Sequence, residues 1–156
     1  MWWFFLKSVH VLFAMLYLGT GLGSAYYKMR AFRTRDPHVI AFLDRAIVRA
    51  DWLFTVTSAV VMPATGAIMV AKLQLSFATS WVVTAYGLWM VAGLLWLWAA
   101  RLQIQMRTMS AGALRDNQPL PPQYMRAQRL WMMLGIPAFL AAMATVVVMV
   151  KKPTLW

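Results

Sequence analysis

Apolar positions along this chain fall into four long blocks rather than short alternating runs. The first covers about residues 3–27 and holds one lysine and one histidine, Lys7 and His10. The others cover about 52–71, 80–100 and 131–150 and carry no charged side chain. A hydrocarbon core of about 30 Å takes about 20 helical residues to cross, so each block predicts one span. Lipid supplies no partner for open backbone groups, which leaves helices or closed barrels. Barrel strands need alternation over about ten residues, and these blocks do not alternate. The prediction is an all-α integral membrane four-helix bundle, a single four-span domain over residues 1–156. Lys and Gly interrupt the first block and no small-residue cleavage site follows it, so it reads as a span and not as a cleavable leader.

Between the blocks the pattern turns polar. Asp36-Pro37 predicts a helix cap with proline at the first helical position. Val39, Ile40, Leu43 and Ile47 then recur at helical spacing, so a helix should begin there and run into the second span. Pro63 should kink that span, with Thr65 or water satisfying the freed carbonyl. The third helix should pass Arg101, Gln105 and Met109 and stop near Gly112. The proline-rich stretch 117–122 is the one linker, too short to separate domains. The fourth helix should begin over 124–129, ahead of lipid, and bend at Pro137.

Composition sharpens the class. The chain is 62% hydrophobic and only 12% charged, against about 45–50% and about 25% in soluble domains. Disorder needs low hydrophobicity and is excluded. Zero cysteines exclude a disulfide scaffold, thiolate metal sites and thiol catalysis. Basic residues outnumber acidic ones 15 to 4, and eleven of them lie between blocks one and two or three and four. Cytoplasmic connections collect Lys and Arg. Both long connections should therefore be cytoplasmic and both termini outside. Trp2, Trp3, Trp52, Trp81, Trp131 and Trp156 fall at span ends, where interfacial tryptophans belong. Topology and anionic lipid account for the formal charge of +11, so the expected partner is the bilayer and not nucleic acid.

Gly19, Gly21, Gly23, Ser24 and Ala25 make a small-residue stretch in the first span, suited to close helix packing. No Lys-Ser/Thr follows at the spacing of a phosphate loop. The aromatic series Trp81, Trp89 and Trp96 shares one helix face and reads as a packing or lipid-facing stripe. Side chains that usually carry chemistry are scarce. There is no Ser/His/Asp set, no carboxylate pair and no metal cluster, so hydrolysis has no candidates. His38 follows Pro37 and reads as a solvated surface residue. Asp51 abuts the second span and suits an interfacial ion pair with Arg49 or Arg101, or a proton relay.

His10 stands apart, because an ionisable group at depth normally faces protein or water and has a partner. Three roles suit it: an interhelical hydrogen bond, a metal or haem ligand, or proton transfer. Haem iron accepts histidine, with His or Met as a second axial ligand. Met62, Met69, Met90, Met143, His10 of a second copy, or no sixth ligand are the options.

The run 6–12 around Lys7 and His10, the glycines 19–23, Ala50-Asp51-Trp52 with Pro63 and Gly66, and Leu102-Gln103 form a recurring pattern. Residues 120–124, 134–138 and 149–153 continue it. Together they resemble the bacterial family of predicted integral membrane proteins described as domain of unknown function 2269, across essentially the whole chain. That resemblance implies four spans and no particular activity. The chain is more distantly similar to HemJ-type membrane protoporphyrinogen oxidases, which also open with Lys-x-x-His and end on Lys-Pro. Those enzymes carry a lysine near the start of span three and a Pro-Arg segment after span one. Here 81–86 has no lysine and 23–27 has neither proline nor arginine. What carries over is His10 alone, as ligand of haem b; Lys7, one turn earlier, suits a propionate near the outer surface. The expectation is a small haem b- or porphyrin-binding, redox-related membrane protein. The alternative is a non-catalytic accessory or assembly subunit of a larger membrane complex, or a homo-oligomer.

Overall fold

A computed structural model describes residues 2–154, so Trp156 lies outside the described residues. Its helices are α1 (Trp2–Thr34), α2 (Pro37–Ala50), a π-helical turn (Asp51–Thr55), α3 (Val56–Lys72), α4 (Ser80–Arg115) and α5 (Pro122–Lys151). The turn joins α2 and α3 into one rod, so four rods are long and apolar enough to cross a membrane. The all-α membrane bundle read from the sequence is what the chain folds into.

Each rod is longer than the lipid requires. With 33 residues in α1 and 36 in α4, a rise of 1.5 Å per residue gives roughly 50 Å. The expected long cytoplasmic loops are therefore mostly helix. Only Arg35 and Asp36 separate α1 from α2. The cap there is as predicted: Asp36 Oδ1 accepts the His38 amide at 2.8 Å, and Pro37 opens the helix. Arg35, Gln74, Asn117 and Lys152 adopt positive φ just past helix ends, where a left-handed residue lets the last carbonyls find donors.

Packing is densest in the helical extensions. There Ala31, Ile40, Ala99, Met106, Tyr124, Ala127 and Trp131 form one buried cluster. A second, smaller cluster of Tyr17, Met62, Ala92 and Ala142 lies in the middle of the bundle. Helix α5 packs chiefly on α4, α4 on α2, and α1 on α3 and α2. Cation–π contacts mark the opposite end, with Lys72 5.1 Å from the Trp2 ring and Lys152 5.5 Å from Trp81. Ser80 also donates to the Pro153 carbonyl at 3.2 Å. Both chain ends and the α3–α4 connection therefore gather on one side.

Candidate functional site

Three polar positions interrupt the apolar interior, and each is built by different helices. The first centres on His10 of α1. Its Nδ1 lies 2.8 Å from Thr65 Oγ1 of α3. Thr65 has one hydroxyl proton, which the Val61 carbonyl takes at 2.7 Å, with the Met62 carbonyl at 3.0 Å. With that proton on the backbone carbonyls, the Thr65 lone pair is the one left for His10, an arrangement that requires the ring proton on Nδ1 and a lone pair on Nε2. The sequence assigned Thr65 to the carbonyl freed by Pro63. It bonds the Val61 and Met62 carbonyls instead; the carbonyl that Pro63 leaves without its amide donor is that of Ala59, and Tyr86 of α4 donates to the carbonyl of Pro63 itself at 2.9 Å. The Tyr86 hydroxyl and the edge of the His10 ring converge on Gly66, whose hypothetical Cβ would sit 3.5 and 3.6 Å from them. Lys7, one turn outward on α1, is exposed.

The second position lies where α1 runs on past the lipid. Lys28, counted as a loop residue from the sequence, is helical, buried and ion-paired with Asp44 of α2. Tyr124 of α5 donates to Asp44 Oδ2 at 3.0 Å. The ammonium also sits 5.6 Å from the Tyr124 ring and 5.7 Å from that of Trp131. Asp44 lies next to Leu43 in the helical pattern that starts at Val39. Nothing in the spacing shows that α1 stays helical long enough to meet it.

Asp51 holds the third position, on the π-helical turn. Such turns insert a residue and often occur at functional sites. Here the turn closes with the Val56 amide on the Asp51 carbonyl. The expected ion pair with Arg49 or Arg101 is absent: among the described residues the ion pairs are Lys28–Asp44 and Arg115–Asp116. Arg101 instead lies 5.2 Å from the Trp98 ring. Thr55 donates to Asp51 Oδ1 at 2.7 Å. Gln103 of α4 and Tyr17 of α1 face the same carboxyl, yet Oδ2 has no hydrogen-bond partner. Two clefts meet here. One of about 370 Å³ lies among α1, α4 and α5, and one of about 320 Å³ lies between the α2–α3 rod and α4. Asp51, Trp96 and Gln103 line both. Trp96, read as part of a packing stripe, thus borders open space, while Trp89 packs on Tyr17 with ring centroids 4.8 Å apart.

Neither cleft touches His10. His10, singled out at depth by the sequence, and Asp51, read there as interfacial, are therefore separate places in the bundle. His38 is solvent-exposed as read from the sequence, but it sits in the first turn of α2 and not in a loop.

A family model described as a predicted integral membrane protein, DUF2269, matches residues 4–153. The chain belongs to that family. No curated protein and no solved structure matches it.

Proposed function

We propose that this family member is a small, redox-related membrane protein that binds haem b or a related porphyrin through Nε2 of His10. One observation carries the reading. The Thr65 hydroxyl holds Nδ1 as donor and so presents Nε2 as the free base, the arrangement in which a second-shell group orients a ligating histidine. When bound, haem b supplies one-electron chemistry at iron, tuned by its axial ligands and surroundings. The donor chemistry fits. The two clefts around Asp51 do not reach His10. Lys7, one turn outward on α1 and exposed, suits a propionate. The basic bias of the α1–α2 and α4–α5 ends supports a bacterial inner-membrane setting with those ends cytoplasmic and both termini outside. Absorption spectra of protein purified from haem-replete cells test the reading. A Soret band is expected, lost in His10→Ala and weakened in Thr65→Val. A colourless wild-type protein overturns it.

A second reading, a homo-oligomer or accessory subunit, has its own support. Only 6% of the most apolar stretch of α1 is buried within the protomer. Gly19 and Gly23, one helical turn apart, have open space where a Cβ would be. The small residues are thus available for a neighbouring helix. Co-purification from native membranes tests this, and a lone monomer would contradict it.

A further inference from the structure

Among the described residues, three buried side-chain atoms have no hydrogen-bond partner: Asp51 Oδ2, Ser58 Oγ and Gln128 Oε1. Of these residues only Asp51 lines the clefts, and it lines both. Its side chain belongs to a residue only 6% exposed. An acceptor oxygen left unmade in apolar surroundings carries the full penalty of its desolvation. Charged groups at this depth ordinarily face a partner or a pathway. No Lys, Arg or His side chain of the described residues supplies one here.

We propose that the paired clefts are an intramembrane binding site for a lipid-soluble amine, its protonated nitrogen on Asp51 and its apolar body in the larger cleft. Several features of the site select this chemistry. The open oxygen asks for a hydrogen-bond donor, and the carboxylate asks for a positive charge. A protonated amine supplies both, an alcohol only the first. Tyr17, Trp96 and Trp131 line the larger cleft, and aromatic faces attract cations. Most of the remaining wall of the larger cleft is apolar, among it Met132 and Phe139, with Ser24, Thr55 and Gln103 as polar exceptions; Arg101 lines the smaller cleft, so the amine's nitrogen sits on the larger-cleft side of Asp51. Both volumes fall in the range of about 300–1,000 Å³ usual for small-molecule sites. The larger cleft lies among α1, α4 and α5 and the smaller between the α2–α3 rod and α4, so the ligand enters from lipid. The site does not involve His10 and stands whether or not haem binds there.

Calorimetric titration of the detergent-solubilised full chain with 2-naphthylethylamine and with the matched alcohol, 2-naphthylethanol, tests the proposal. The amine should bind about tenfold tighter or more, as a charge-assisted hydrogen bond implies. Asp51→Asn should abolish that preference. Gly135→Leu offers a second variant that keeps the acid. Gly135 lines the larger cleft, and nothing lies within 4 Å of an added Cβ. That substitution should fill the space and weaken both ligands at least tenfold, with the helical circular dichroism unchanged. Equal binding of amine and alcohol, a preference that survives Asp51→Asn, or full binding by folded Gly135→Leu would each overturn the proposal.

Discussion

Lys28 on α1 and Asp44 on α2 form an ion pair whose side chains are only 3% and 2% exposed. The pair ties together two helices separated by two residues of chain, and Tyr124 brings in a third. Replacing one member leaves the other buried and unpaired, which typically costs about 3–5 kcal/mol. Asp44→Asn should therefore lower stability by about that amount in detergent unfolding titrations. The double replacement Lys28→Met with Asp44→Leu should lose much less. Equal losses for single and double variants would show that the pairing is not what matters.

Much of the frame was legible in the sequence because hydrocarbon imposes one requirement, length without charge, that residue type reports directly. The four blocks and the Asp36-Pro37 cap are both visible as letters. The polar sites were less legible, because they depend on where helices continue and meet. Lys28 looked like a loop lysine because α1 was taken to end with the lipid at about 27, whereas it runs on to Thr34. Asp51 looked like half of a surface ion pair. The π-helical turn sets it among Thr55, Gln103 and Tyr17 instead. A one-residue change in helical winding has no signature in hydropathy. His10 was legible as an unusual residue, but Thr65 as its partner was not, since only the packing of α1 on α3 brings them together.

Sidedness is open to a simple check, because the chain has no cysteine to remove. Single cysteines at Arg35 and Asn117 should react with a membrane-impermeant maleimide only after the inner face is exposed. A cysteine at Ser76 should react in intact spheroplasts. The reverse pattern would invert the assigned orientation.

Gly19 and Gly23 face open space within the protomer. If α1 meets a second copy through them, Gly19→Leu with Gly23→Leu should shift the chain to monomer in crosslinking and light-scattering measurements. Thermal stability of the monomer should change little. An unchanged oligomer would place any interface elsewhere.

The Tyr86 hydroxyl is the donor to the Pro63 carbonyl within α3. Tyr86→Phe removes one hydrogen bond, worth about 0.5–1.5 kcal/mol. The expected result is a modest loss in unfolding free energy with the chain still folded. No loss at all would mean that water replaces the hydroxyl at no cost.

The haem reading rests on which nitrogen of His10 carries the proton, and nitrogen-15 NMR of the histidine-labelled chain without added porphyrin reads that directly. A protonated Nδ1 and a lone-pair Nε2, with that pattern disturbed in Thr65→Val, is the predicted result. A protonated Nε2, with Nδ1 accepting from Thr65, would contradict it and remove His10 as a ready ligand.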